Sequence, residues 1–386
     1  MSGYVWYSYG SDVSGPKLAE ALGFASGKKA PNFDELDVLV GWGCKPRDFP
    51  EAQLQQLVAQ GQLRVLNRPE AVNQNRDKMS MLQGLTDAGI AVPGLILVTG
   101  DSRAHAFRKV AEALDAGEID FPLVGFNRFH RGGPRFCYTI EDVRAACAEV
   151  GVEEGSAKKN GVDYFRSFCP GTEYRIHVFR DLAVSAQTKV LAEDPEAQMV
   201  ESLADLLAKR DAKRKKAKDG ASSLLPEKAK LEWVLRELAG EMLIGPAHLQ
   251  RSVGRGWNLQ DVPVSEIPKV AVAEAIKALE AAGLDIGAVS VTVAEESARV
   301  TNITSAPALG DAQLKALVGA FKDFTDGKLD EGSKSKKRKK AAAKSEDVPD
   351  GDRAKPEIIA RLTRRLRLGK ISQQEAEEML SKLGEQ

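Results

Sequence analysis

Residues 283–310 read GLDIGAVSVTVAEESARVTNITSAPALG. Residues 288–293 place Val289, Val291 and Val293 on one face of a strand and Ala288, Ser290 and Thr292 on the other. Residues 295–297 are a polar turn, and 299–305 are the return strand of a predicted hairpin. Ser290, Asn302 and Thr304 are expected to line one of its surfaces. All three are neutral, whereas Mg²⁺ is usually held by one or two carboxylates beside substrate phosphates. No metal ligand is assigned on this surface.

Upstream of the hairpin, residues 269–282 read as a helix ending at Gly283. Further upstream, residues 172–179 (TEYRIHVF) alternate strictly, with Glu173, Arg175 and His177 on one face and Tyr174, Ile176 and Val178 on the other. Such a row suits contact with a nucleotide or an acyl phosphate if it faces a cleft. On the pattern alone it is equally the wet face of a half-buried strand. Gln187 and Lys189 stand two apart on the next predicted strand.

The chain opens with a β-prone segment at residues 4–9, a turn at 10–15, a short helix stopped by Gly23 and a buried strand at 37–40, which is the layout of an α/β lobe. Residues 65–72 lead into a helix carrying Lys78. A strand at 95–98, an amphipathic helix at 104–116 and a strand at 121–124 precede the Gly-rich basic loop NRFHRGGPR, residues 127–135. Backbone N–H groups of such a loop can cradle phosphate, but Pro134 removes one donor. A plain solvated loop is the competing reading.

Fifty-five basic and 55 acidic residues cancel, so net charge names no partner, and 43% hydrophobic content supports a sizeable core. The four cysteines, Cys44, Cys137, Cys147 and Cys169, form no CxxC pair and are expected as small buried hydrophobes. No apolar run is long enough to span a membrane and no signal-peptide layout opens the chain, so a cytoplasmic setting is expected.

Residues 194–245 read as a basic helical insertion, with the run KRDAKRKKAK at 209–218 and an amphipathic helix at 227–243. Residues 325–353, containing KSKKRKK, are poor in apolar residues and read as a disordered linker. Residues 354–386 read as a two-helix hairpin, its second helix started by the Ser372/Glu375 capping box. A hairpin this small is expected to pair with another copy or another protein surface.

Several of these stretches resemble ATP-grasp carboxylate–amine ligases, in particular a branch common in bacteriophage genomes. GLDIGAVSV and NITSAPAL follow the frame of that family's last motif. The segments around Ser8–Gly10–Ser11, Ala21–Leu22–Gly23 and Gly41–Trp42–Gly43, the segment LNRPEAV, the strand EYRIHVF, the Gln187/Lys189 pair and the Arg251…Gly256–Trp257 element also fit it. The resemblance covers roughly residues 2–192 and 249–321. It implies an α/β fold of three lobes with nucleotide held between two sheets: an N-terminal lobe at 1–98 and central and C-terminal lobes at 99–324. It further implies nucleotide contacts by Lys78, Glu173, His177, Gln187 and Lys189, with Arg175 and Arg251 at the reacting groups.

The chain departs from the family at the metal positions. The family's Asp, Glu and Asn fall on Ser290, Asn302 and Thr304, and the basic residue before its flap falls on Phe126. ATP is therefore an expected ligand and Mg²⁺ is not. The favoured function is a catalytically degenerate ATP-grasp fold reused for binding or structure, including in a phage particle. An active amide-forming ligase is the alternative, with Asp285, Glu295 or Glu296 as substitute carboxylates if the hairpin register is shifted. A third class is nucleic-acid binding through the basic runs, which would weaken steeply with salt.

Overall fold

The computed structural model describes residues 1–8, 11, 13–44, 51–129, 134–148, 161–217, 251, 256–295 and 297–328. The 130–133 part of the Gly-rich loop, the 218–245 part of the basic insertion, Glu296, most of the 325–353 linker and the 354–386 hairpin lie outside them. The chain divides into two compact units at Phe321. No helix among the described residues is long and apolar enough to cross a membrane.

The first unit, Met1–Phe321, is built on three sheets. The first is parallel, with strands in the order β2 (Ala25–Gly27), β1 (Gly3–Tyr7), β3 (Val38–Trp42), β4 (Arg64–Leu66). Every residue of β3 is buried, as its unbroken apolar run requires of a central parallel strand. The helix α1 (Ser14–Leu22) stops where Gly23 adopts the left-handed conformation. Between β3 and β4 lies α2 (Glu51–Ala59).

Two helices then follow where the sequence suggested one. The first, α3 (Pro69–Arg76), begins on a proline at its N1 position. Asp77 ends it and caps α4 (Lys78–Asp87) by accepting a hydrogen bond from Ser80 N. The break places Lys78 at the first turn of a new helix rather than along the side of a longer one.

The second sheet is antiparallel, in the order β5 (Leu95–Leu97), β8 (Tyr164–Ser167), β6 (Leu123–Phe126), β7 (Arg135–Cys137). β5 falls within the 1–98 span assigned to the first lobe, yet its ladder partner is β8 of this sheet. Helices α5 (Arg103–Asp115) and α6 (Ile140–Cys147) share its core, through Val110, Val143, Leu123 and Phe165. α6 starts on a full capping box between Thr139 and Asp142. Cys44, Cys137 and Cys147 are buried free thiols, and Cys169 is a partly buried one.

The third sheet is the scaffold of the candidate site. Its five antiparallel strands run β11 (Trp257–Val262), β10 (Leu182–Leu191), β9 (Thr172–Phe179), β12 (Ile286–Ala294), β13 (Ser297–Thr304). The predicted hairpin is β12–β13, with Ser290 opposite Asn302. Ile176, Val178, Val289, Val291, Val300 and Ile303 form the apolar face, and they share one core with Ala271, Ala275, Ala278 and Leu279 of α8 (Lys269–Ala281). Three alanines on the buried face of α8 let its backbone approach the strands closely. The basic segment after β10 begins as α7 (Pro195–Ala217). After β13 the chain forms α9 (Asp311–Thr325), which lacked a sequence assignment.

Candidate functional site

The polar face of the third sheet is set by the alternation of β9. Glu173, Arg175 and His177 stand opposite Thr292, Ser290 and Ala288 of β12. On the other side, Gln187 of β10 stands opposite Arg175, and Ser185 opposite His177. Asp261 of β11 stands opposite Gln187. Because each ladder fixes its side chains to one face, this row spans the whole sheet from Asp261 to Asn302.

Most charges on the face are paired. Lys189 Nζ lies 2.7 Å from Glu173 Oε1 and donates to the Arg251 carbonyl at 2.7 Å. Arg251 Nη1 lies 3.9 Å from Glu173 Oε2, and its guanidinium sits over the rings of Phe168 and Trp257 at 5.6 and 5.7 Å. Gln187 Nε2 donates to Asp261 Oδ1 at 2.9 Å.

Arg175 is different. Among the described residues its guanidinium makes no hydrogen bond and no ion pair. Burial lowers its pKa, and the charge of Glu173 opposes that. Around it lie buried polar atoms without partners among the described residues: His177 Nε2, Ser185 Oγ and Asn302 Oδ1. Such atoms cost about 1–3 kcal/mol each when left unsatisfied. Their concentration on the face that carries an unpaired guanidinium marks it as a surface shaped for something that brings hydrogen-bonding groups.

Burial, then the neighbouring charge of Arg175, pulls the His177 pKa down to about 4, against the weaker opposing effects of the Gln187 amide and the charge of Asp261. The imidazole is therefore neutral at pH 7. Unfolded, it titrates near 6.5. Between those values the unfolded chain binds the extra proton, so stability falls as pH drops from about 6.5 to about 4 and the loss levels off below that. His177→Gln is expected to remove about 2–3 kcal/mol of this pH dependence, read from urea midpoints at pH 7 and pH 4.5.

Lys78 stands apart from the row. Its Nζ donates to the Ile303 carbonyl on β13, the edge strand, so β12 and β9 separate it from Gln187 and Lys189. Burial, with the charge of Arg76 second, lowers its pKa to about 8. Asn75 Nδ2 donates to the same carbonyl at 3.2 Å, Arg166 Nη1 to the Thr301 carbonyl at 2.7 Å, and Val300 N to the Ala91 carbonyl at 2.8 Å. These contacts satisfy an edge that would otherwise be open to pairing. The structure thus brings together Glu173, Arg175, His177, Gln187, Lys189 and Arg251, and places Lys78 at the rim.

Arg166 had no role in the sequence reading. It lies on β8, and its guanidinium covers the Phe126 ring at 4.7 Å. A cation thus adjoins the position where the resemblance expects a basic side chain and the sequence has Phe126. Asp261, Ser185 and Gln313 were also missed, because no pattern in the sequence links β10, β11 and α9.

The metal positions can be tested on this geometry. Ser290 and Asn302 are opposite each other and Thr304 faces Ala288. The register of β12 against β13 is the expected one. Asp285 sits before β12, where Oδ2 accepts from Asn67 N at 3.0 Å and Oδ1 lies 3.4 Å from Arg180 Nε. Glu295 is exposed at the hairpin turn, at the far end of the strand, with φ 54°. The three positions thus carry two hydroxyls and an amide, and Glu173 is paired to Lys189 and Arg251. Among the described residues no three His, Cys, Asp or Glu side chains cluster as a metal site.

No protein-family model matches the sequence, and no curated protein does. Solved structures do match. D-alanine–D-alanine ligase from Bacillus anthracis is 10% identical, with 83% of this chain and 91% of that chain covered and a TM-score of 0.50. A RimK domain ATP-grasp protein from Sphaerobacter thermophilus is 14% identical, with 83% and 99% covered and a TM-score of 0.47. The ATP-grasp ligase PsnB complexed with minimal precursor is 12% identical, with 84% and 98% covered and a TM-score of 0.47. The likeness to the D-alanine–D-alanine ligase shows that the chain shares its mixed α/β, multi-sheet fold.

Proposed function

We propose that this is an ATP-grasp-like protein that binds a phosphate-bearing nucleotide on the polar face of the third sheet and does not turn it over with Mg²⁺. The observation that carries this reading is Arg175, a half-buried guanidinium with no partner among the described residues. A planar fork of donors matches a phosphate in bidentate fashion and binds it more strongly than neutral donors do. Lys189 and Arg251 hold Glu173 in place, so that its negative charge is balanced beside an incoming anion. Neutral His177, Ser290 and Asn302 offer further hydrogen bonds on the same face. Phosphoryl transfer needs charge neutralised around the phosphates, and the neutral side chains at 290, 302 and 304 leave that task without a metal. Binding in place of catalysis is the function this donor set supports.

The test is calorimetry of the full chain with ATP, with and without Mg²⁺, beside phosphate release across a panel of acids and amines. ATP is expected to bind equally in both conditions, without phosphate release. The triple variant Ser290→Asp, Asn302→Glu, Thr304→Asn is expected to gain at least tenfold in affinity when Mg²⁺ is added. Mg²⁺-dependent turnover by the natural sequence would overturn the reading in favour of an active ligase.

A further inference from the structure

Away from the polar face, a cavity of about 300 Å³ lies between α3, α4 and the end of α8. Met81, Leu85, Ala281 and Ala282 give it apolar walls, and no charged side chain lines it. Its size is at the lower end of the range of small-molecule sites. Asn75 also lines it and is only 3% exposed. Its Nδ2 donates to the Ile303 carbonyl at 3.2 Å, while Oδ1, the other corner of the amide, is buried without a partner among the described residues. Gly84 stands in the interior of α4, where glycine is disfavoured relative to alanine. No packing requires it, because a Cβ there would meet no heavy atom within 4 Å beyond its own helix backbone. The missing side chain leaves the cavity open. The C-terminal end of α8 reaches the same wall with no basic residue in its last turn, so it presents the partly negative end of a helix.

We propose that this cavity binds an uncharged planar molecule with one strong hydrogen-bond donor, of the phenol or indole type. A buried acceptor without a partner calls for a donor, and the ligand's O–H or N–H takes the hydrogen bond that Asn75 Oδ1 lacks. The end of α8 likewise favours a donor over an acceptor. An ion is disfavoured, because the lining offers no opposite charge to offset its desolvation. The walls suit a ring. Gly84 exposes helix backbone in place of a side chain, the Met81 thioether packs well on aromatic edges, and Leu85 with the two alanines covers the rest. Such an occupant touches α3, α4 and α8 together, so it stabilises the folded chain by mass action. Asn75 shares the Ile303 carbonyl with Lys78, which ties the site to the edge strand β13. The site requires neither a nucleotide nor the polar face of the third sheet.

Ligand-detected NMR titration of the full chain without nucleotide tests it, with phenol and indole as the probes. Phenol is expected to bind about fivefold more tightly than anisole, which lacks the donor, and than benzoate, which adds a charge. Indole is expected to show the same preference over 1-methylindole. Gly84→Leu fills the cavity with a residue that favours the helix. It is expected to weaken both probes by about tenfold or more, with a thermal midpoint no lower than that of the natural protein. Asn75→Leu keeps the volume and removes the acceptor, while Lys78 still donates to the Ile303 carbonyl. That variant is expected to erase the preference of phenol over anisole. Phenol and indole bound no more tightly than their controls, or bound equally by the natural protein and Gly84→Leu, would overturn the proposal.

Discussion

Asn67→Ala is expected to cost the 1–321 unit about 3–5 kcal/mol, among the larger effects a single substitution produces. Asn67 is fully buried and adopts φ 57°. Its Oδ1 accepts from Asp285 N and Ile286 N, both at 2.8 Å, and its Nδ2 donates to the Ile286 carbonyl at 2.7 Å. Its own N–H donates to Asp285 Oδ2 at 3.0 Å. One side chain therefore ties the end of the first sheet to the start of β12. Alanine leaves three backbone groups buried and unsatisfied, at about 1–3 kcal/mol each before relaxation. It also puts alanine in the left-handed region, where Asn is tolerated better than Ala. There is no room to relax toward β3, since a Cβ on Gly41 would already fall 2.1 Å from the Asn67 carbonyl. Asn67→Gly separates the two effects, because glycine accepts the dihedral and still loses the hydrogen bonds. The check is the urea midpoint at constant slope. Glycine is expected to be about 1 kcal/mol milder than alanine, and a loss below about 1 kcal/mol for both would show that the tie is not structural.

Arg175→Met is expected to lower nucleotide affinity about 10- to 150-fold, corresponding to the 1.5–3 kcal/mol of hydrogen bonds made by a charged donor. In the ligand-free protein the same change is expected to be neutral or stabilising. The guanidinium is desolvated without a partner among the described residues, and methionine of similar length replaces it without that penalty. The two effects have opposite signs, and a structural arginine would not produce that pair. Arg175→Lys keeps the charge but loses the fork, so it is expected to recover only part of the affinity. The checks are calorimetry with ATP and the thermal midpoint of the free protein. An unchanged affinity, or a free protein destabilised by more than about 2 kcal/mol, would remove Arg175 from the ligand site.

Much of the scaffold was legible in local patterns. Period-two alternation in TEYRIHVF assigned β9 over Thr172–Phe179 and separated its Glu173–Arg175–His177 face from its Ile176–Val178 face. The same reasoning located β12 and β13 and kept Ser290 and Asn302 on one surface. Strand periodicity is a property of consecutive residues, so it survives without knowledge of the fold. What alternation does not carry is which face a partner covers. That the apolar side meets α8 depended on sheet order.

The tertiary structure decided the rest. Lys78 matches a motif of the resemblance, and only packing shows that its amine donates to the Ile303 carbonyl at the sheet edge. Asp285 was a candidate carboxylate only while the register of β12 against β13 was open. The pairing with Asn67, 218 positions away in the chain, settled its place. Gln313, Asp261 and Gln187 form one hydrogen-bonded row from three separate elements. The amino-acid sequence alone determined the strands, their two-sidedness and the neutral chemistry at positions 290, 302 and 304, because these depend on neighbours in the chain. Which charges are paired, and that Arg175 and Asp261 have no ion-pair partner among the described residues, was decided by contacts between residues far apart in sequence, whose geometry no local pattern encodes.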